Sequence, residues 1–276
     1  MMVSVLILTF NEETNLPDCL ESVGFSDDIV IFDSYSTDRT ADIAKEYGTR
    51  VVYRKFDNYA AHRNAALGEI EYRYPWVLMI DADERVPRDL KEEISGLVDS
   101  LDSDATLYRV RRKDFFWGRW LKHSSGYPTW FGRLLKVGTV NVEREINEEY
   151  HTHGTIYHLR RHLIHRPFNK GIAAWLDKHN RYSSMEADVF AGEVRGSLRF
   201  RDAFSTDPVN RRRFLKQVAF RMPCRPLLTF CYLYFVRMGF LDGKQGLAYC
   251  RLRMMYEYMI NLKTKELRRH EKGLPM

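Results

Sequence analysis

Residues 75–83 read Pro75-Trp-Val-Leu-Met-Ile-Asp-Ala-Asp83. A proline opens the segment, an unbroken apolar run from Trp76 to Ile80 follows, and two carboxylates separated by one small residue close it. A run this short and this uniformly apolar is a strand buried on both faces, as in a parallel sheet. Two aspartates at the end of such a strand can hold a divalent cation, and the cation can hold a diphosphate. Hard oxygen donors suit Mg2+ or Mn2+, which keep phosphate and water oxygens in their shells. Aspartate pairs are common on protein surfaces, so the motif gains its weight from the strand behind it.

The same grammar repeats on either side. Val3 to Thr9 and Asp28 to Asp33 are further apolar, β-branched runs, and Arg50 to Arg54 is a third strand. Between them Asn11 to Gly24 places Leu16, Cys19, Leu20 and Val23 on one helical stripe. The capping residues of Ser34 to Thr40 start a helix that stops at Gly48. Tyr59 to Glu71 and Arg88 to Leu101 are the next helices. Strand–helix alternation at this pace predicts an α/β fold with a mostly parallel central sheet and right-handed crossovers. Ligands of such sheets collect at the carboxyl ends of the strands. Three of those ends carry polar clusters: Thr9-Phe-Asn-Glu12, Asp33-Ser-Tyr-Ser36 and Asp81-Ala-Asp83.

Beyond residue 105 the rhythm changes. Thr106 to Arg112 alternates like a strand, and Phe115, Phe116, Trp117 and Trp120 follow. Arg133 to Val137 is another strand, Glu145 to Glu149 an acidic cluster, and His162 to His165 a segment that could close the sheet. Ala173 to Val189 is a helix, with a hinge at Gly192 to Gly196. The expected organisation is an α/β domain over residues 1–194, which carries the polar strand ends, and a basic helical segment over residues 195–276.

The net charge of +6 hides a division: residues 1–194 carry 25 Lys+Arg and 31 Asp+Glu, whereas residues 195–276 carry 18 and 6. Concentrated basic charge points to an anionic surface. The cysteines Cys19, Cys224, Cys231 and Cys250 show no CxxC spacing, which argues against a zinc site or a disulfide framework and fits a reducing cytoplasm. The longest apolar run, Leu227 to Val236, is half of the ~20 residues a spanning helix needs. No cleavable leader is read at the amino terminus.

In Ser4-Val-Leu-Ile-Leu-Thr-Phe-Asn-Glu12, Asp33-Ser-Tyr-Ser-Thr-Asp-Arg-Thr40, Ala61-His-Arg-Asn-Ala-Ala-Leu67 and Trp76 to Val86, the sequence resembles the family-2 glycosyltransferases of the A-type, Rossmann-like fold. Within them it is most similar to the lipopolysaccharide-core β-glucosyltransferase subgroup. The resemblance implies inverting transfer of a hexose, UDP-glucose being favoured, from a UDP-sugar to a glycan acceptor. It also implies that Thr9, Asn11 and Glu12 meet the nucleoside, that Asp33 accepts from the uracil N–H, and that Arg63 pairs with the diphosphate. Asp81 would lie near the ribose and the metal, with Asp83 the main protein ligand and His165 a further one. Gly126 matches the glycine loop at the donor sugar. The family's catalytic base falls at Glu148 in Ile146-Asn-Glu148, with Asn147 standing where many relatives have His. Glu145 and Glu149 remain alternatives.

Basic residues interleaved with Phe, Leu, Tyr and Met over residues 211–237, and again over 246–262, fit helices lying in a membrane interface. With a lipid-linked acceptor, this places the protein on the inner, cytoplasmic face of the cell membrane. The competing reading buries those faces on the catalytic domain or on a second copy of the chain. A sugar-phosphate nucleotidyltransferase would need a Gly-rich basic loop after the first strand, and Thr9 to Asn15 has none. A non-catalytic nucleic-acid or anionic-lipid binder leaves the acidic strand ends unexplained, since they repel phosphate unless a cation intervenes.

Overall fold

The computed structural model describes residues 2–98, 104–143, 149–194, 222 and 224–275. Its contacts divide the chain into two compact units: Met1–Trp120 with Tyr127–Lys170, and Leu121–Gly126 with Gly171–Met276. Helix Gly171–Val194 therefore groups with the later residues, whereas the sequence reading drew its boundary after residue 194.

In the first unit the strands are β1 (Ser4–Thr9), β2 (Ile29–Asp33), β3 (Arg50–Tyr53), β4 (Trp76–Asp81), β5 (Glu84–Arg85), β6 (Ala105–Phe116), β7 (Arg119–Trp120), β8 (Trp130–Lys136), β9 (Val140–Glu143), β10 (Glu149–Thr152) and β11 (Thr155–His165). The helices α1 (Leu16–Val23), α2 (Thr40–Glu46), α3 (Tyr59–Glu69) and α4 (Arg88–Val98) separate the early strands. The main sheet runs β3-β2-β1-β4-β8-β6-β11-β5, with β7 against β6. Strands β3, β2, β1 and β4 are parallel, as are β6 and β11; β8 and β5 pair antiparallel to their neighbours. This is the expected α/β sheet, mostly parallel, with antiparallel insertions in its second half.

The apolar runs form strands because both sheet faces are covered. Val5 and Ile7 of β1 and Leu78 and Ile80 of β4 pack on Leu16 and Leu20 of α1 and on Leu90 and Ile94 of α4. Leu6, Val77 and Met79 point the other way, onto Ala65 and Ala66 of α3. Period-two alternation thus serves two buried layers, and along β1 Leu8 alone is partly exposed. The expected segments are found with shifted ends. Helix α1 begins at Leu16, because residues 12–15 form a turn in which Asn15 N and Leu16 N both donate to Glu12 O. Strand β6 extends through Phe116 and β11 starts at Thr155, since the two strands pair over most of their lengths.

The second unit contains α5 (Gly171–Val194), α6 (Arg225–Cys231), a π turn at Tyr232–Val236, a 3-10 turn at Gly239–Asp242 and α7 (Gly243–Glu271). Of the hinge expected at Gly192 to Gly196, Gly192 keeps its backbone in helix α5, and the stretch beyond Val194 lies outside the described residues. Residues 195–221, which hold Arg211, Arg212 and Arg213, lie outside the described residues. Asp242, 2% exposed, fastens this unit's short loop. Its carboxylate accepts from the backbone N–H groups of Lys122, His123 and Ser124 at 3.2, 2.9 and 2.8 Å, and from the Ser124 hydroxyl at 2.8 Å. Gly246 lets α7 close on that turn: a Cβ there would stand 2.2 Å from the Gly239 carbonyl oxygen.

Candidate active site

Strands β1, β2 and β4 are neighbours and parallel, so Thr9, Asp33 and Asp81 arrive together at one edge of the sheet. Thr9 Oγ1 donates to Asp33 Oδ2 at 2.8 Å, and Ser36 donates to Asp33 through its backbone N–H at 2.7 Å and through its hydroxyl. Asp33 is fully buried, and these bonds fill most of its roughly four lone-pair sites. In this structure it knits the β1 and β2 ends together. Asn11 belongs to the same knot: its backbone N–H donates to Ser36 Oγ and its Oδ1 accepts from Thr37 N, both at 2.8 Å.

Asn11 and Tyr35 have φ of +54° and +60°. The left-handed region is a modest cost for Asn and a larger one for Tyr, and such outliers gather at ligand sites. The turn at Tyr35 leaves its ring 59% exposed, beside Tyr53 with centroids 5.7 Å apart. Glu12, beside them, accepts from Lys170 Nζ at 2.6 Å and from Asn15 at 2.8 Å. Burial raises the Glu12 pKa, and the Lys170 bond opposes the rise.

Helix α3 is capped by Asn58, whose side chain accepts from Ala61 N at 2.8 Å. It carries Arg63, 5% exposed, to Asp81 Oδ1 at 3.1 Å. Arg133 of β8 reaches Asp81 Oδ2 at 2.6 Å and Glu84 Oε1 at 2.8 Å. Burial alone would raise the Asp81 pKa, but Arg133 and Arg63 together hold its carboxyl well below the usual range. Arg63 is thus ion-paired with the first aspartate of the turn, at the edge where a diphosphate was expected to meet it.

Two strand registers deliver the rest. Antiparallel β5–β11 pairing sets His165 opposite Glu84, next to Asp83, while parallel β6–β11 pairing sets His165 opposite Asp114. Its ring consequently lies between two carboxylates: Nε2 is 3.2 Å from Asp83 Oδ2 and Nδ1 is 2.7 Å from Asp114 Oδ1. Burial and the nearby Arg112 disfavour the imidazolium, but Asp83 and Asp114 outweigh them and raise the pKa. Arg112 continues the chain, 3.1 Å from Asp114 and 3.4 Å from Glu84. Among the described residues, the carboxylates Asp81, Glu84 and Asp114 are thus paired with the guanidiniums of Arg63, Arg112 and Arg133.

The Asp83–His165 pair has the donor chemistry for a divalent cation, and an Asp114 acceptor on Nδ1 would fix the tautomer that frees Nε2 for a metal. Among the described residues no group of three or more His, Cys, Asp or Glu side chains stands at metal-binding spacing. A Mg2+-type ion held by substrate phosphates needs only one or two protein ligands.

Of the residues singled out from sequence, Thr9, Asn11, Glu12, Asp33, Arg63, Asp81, Asp83 and His165 all lie in the first unit, at the ends of its strands or, for Arg63, on α3. Gly126, with φ +84°, groups with the second unit. Glu145 and Glu148 fall outside the described residues, and Glu149 begins β10. Sequence reasoning missed Tyr35, Glu84, Arg112, Asp114, Arg133 and Lys170. The available signal was Arg111-Arg-Lys-Asp114, four consecutive charged residues near the end of a strand that otherwise alternates.

Comparison with known proteins shows the family of the chain. Residues 4–157 match the model of glycosyl transferase family 2, and the chain belongs to that family. It is 30% identical over 195 residues to the lipopolysaccharide core biosynthesis glycosyltransferase LpsC of Rhizobium meliloti (strain 1021), covering 67% of this chain and 70% of that one. It is 33% identical over 135 residues to the undecaprenyl-phosphate 4-deoxy-4-formamido-L-arabinose transferase of Pseudomonas aeruginosa (strain LESB58), covering 43% and 39% of the two chains. Among solved structures, S. aureus TarS 1-349 in complex with UDP-GlcNAc aligns with a TM-score of 0.45 at 13% identity, over 99% of this chain and 93% of that one.

Proposed function

We propose that this chain is an inverting, metal-dependent hexosyltransferase. Its donor is a UDP-sugar, UDP-glucose being favoured, and its acceptor is a lipid-linked glycan of cell-surface polysaccharide or lipopolysaccharide biosynthesis. The observation that carries the reading is the Asp83–His165–Asp114 chain beside the Thr9–Asp33 knot, on one sheet edge. The acceptor class is supported by the names of two relatives, a lipopolysaccharide core biosynthesis glycosyltransferase and an undecaprenyl-phosphate 4-deoxy-4-formamido-L-arabinose transferase.

In this reading the Asn11, Glu12 and Tyr35 turns hold the nucleoside. Arg63 and Arg133 keep Asp81 ionised and set its carboxylate in place, and Asp83 and His165 Nε2 hold Mg2+ or Mn2+. The bound cation would stabilise charge on the departing diphosphate. Glu148 would take the proton of the acceptor hydroxyl, and no second carboxylate is needed as a leaving-group acid. Calorimetric titration of UDP should show binding that strengthens with Mn2+, and Asp83→Ala should remove that increment. UDP binding indifferent to both would overturn the assignment.

The second unit supports docking to an anionic membrane surface. Leu227, Tyr232, Phe235 and Val236 are 57, 51, 58 and 69% exposed in a stretch flanked by Arg225 and Arg237. No helix of the described residues is long and apolar enough to cross a membrane. Exposed aromatic and aliphatic side chains among cations are suited to shallow insertion at the headgroup level. Phe235→Ser with Val236→Ser should lower the fraction of protein sedimenting with phosphatidylglycerol liposomes. Unchanged pelleting would return this face to packing within the chain or against a second copy.

A further inference from the structure

A second constellation lies in the first unit, on the face of β6 opposite Asp114. Arg111 is paired across the sheet with Trp130 on β8 and with His162 on β11. Its guanidinium sits 5.0 Å from the centroid of the Trp130 ring, and Lys113 Nζ sits 4.8 Å from that of Trp120. Tyr127 bridges the two halves: its ring meets Trp120 edge-on at 5.2 Å, and its hydroxyl is 2.6 Å from His162 Nε2. All six side chains are partly exposed. Among the described residues, neither Arg111 nor Lys113 has a carboxylate within ion-pair distance. Their charge is felt locally: burial, then Arg111 and Lys113, push the His162 imidazole below its usual pKa.

The patch has a defined place relative to the transferase edge. Strand β8 is antiparallel to both β4 and β6, so β4 and β6 run the same way and their carboxyl ends share one edge. Lys113 immediately precedes Asp114, the residue that holds His165, and alternation sends the two side chains to opposite faces. Cations that pair with no carboxylate among the described residues, Arg111 donating there to the Arg160 carbonyl, set among aromatic rings one residue step from the reacting edge, suit a ligand with anionic groups and flat apolar faces. A sugar ring bearing a carboxylate or a phosphate has both: its C–H face lies on indole, and its acid group meets guanidinium or ammonium.

We propose that Arg111, Lys113, Trp120, Tyr127, Trp130 and His162 form the acceptor subsite and that it selects an acidic saccharide. This inference rests on the transferase reading above and adds the chemical class of the acceptor. The guanidinium and ammonium hold the acid group, the tryptophan faces hold the ring carrying it, and the Tyr127–His162 pair fixes the spacing between the two indoles.

Affinity electrophoresis of the full chain tests it, with oligogalacturonate as the carboxylate probe, a phosphorylated mannan oligosaccharide as the phosphate probe and maltohexaose as the neutral control. Retardation by either acidic probe and none by maltohexaose is expected, and the probe that retards identifies the acid group. Arg111→Gln with Lys113→Gln should weaken retention by roughly tenfold or more, the loss of one or two charge-assisted bonds. Arg111→Lys with Lys113→Arg should retain it, which separates charge from folding. Absence of retardation by both acidic probes overturns the proposal, as does full retention by the Gln variant. Equal retardation by an oligouridylate would reassign the patch to nucleic acid. UDP titration of the same samples keeps the readings apart: a wild-type protein that fails to bind UDP refutes the transferase reading, whereas one that binds UDP but no acidic saccharide refutes the subsite alone.

Discussion

Arg133→Ala is expected to destabilise the protein by about 3–5 kcal/mol, the usual cost of stripping one partner from a buried ion pair. The Arg133 side chain is 3% exposed and its guanidinium touches both Asp81 and Glu84, the latter fully buried. Burial disfavours the Arg133 charge, yet those two carboxylates raise its pKa well above the ordinary value. Without it, among the guanidiniums of the described residues, Glu84 keeps only Arg112 at 3.4 Å and Asp81 only Arg63. Glu84 cannot turn to water, because its other oxygen accepts from the Asp81 backbone N–H at 3.0 Å, inside the turn that carries Asp83. Urea unfolding of wild type and variant measures the effect. Adding Glu84→Gln to Arg133→Ala should recover part of the loss, since it removes one of the stranded charges. A single-variant loss below about 1 kcal/mol would show that Arg133 behaves as an ordinary surface ion-pair partner.

The largest kinetic effect is expected at Glu148. Glu148→Gln should reduce transfer by about 10²–10⁴-fold, the typical contribution of a positioned general base, while leaving UDP affinity unchanged. Glutamine keeps the size and hydrogen-bonding reach of the side chain but cannot accept the acceptor's proton, so the loss should fall on kcat. The parallel variants Glu145→Gln and Glu149→Gln discriminate among the three acids of this segment. Glu149 opens β10 with its side chain half exposed, next to His151 Nε2 at 3.9 Å, which marks it as a surface residue of the β9–β10 hairpin. Near-normal turnover in Glu148→Gln with a collapse in one of the others would transfer the role.

The first ninety residues were legible because their physics is local. Apolar runs such as Val3 to Thr9 are buried on both faces, and each ends in a polar residue where the sheet ends. The Asp81-Ala-Asp83 turn could be read for the same reason. His165 was placed beside Asp83 only through resemblance; what brings it there is the pairing of β5 with β11, which links residues about eighty apart. Arg133 left no signal, and Arg112 and Asp114 left only the charged run Arg111-Arg-Lys-Asp114. Charged residues in a strand look like a solvated face, and only the register of β6 between β8 and β11 shows that these guanidiniums and carboxylates neutralise one another. The tail was read as basic and amphipathic from composition, which carries no signal for the π turn at Tyr232–Val236 or for the turn anchored by Asp242.

That anchored turn bears on how related sequences can be recognised. Gly239-Phe-Leu-Asp-Gly-Lys-Gln-Gly246 combines two glycines that must lack a side chain with one carboxylate that must accept from a distant loop. Close backbone approach fixes the two glycines and the acceptor role fixes the aspartate, so the spacing Gly-x-x-Asp-x-x-x-Gly works as a signature for this class of second unit. It can be searched for independently of the acidic turn, and a chain that carries both would announce the two units separately.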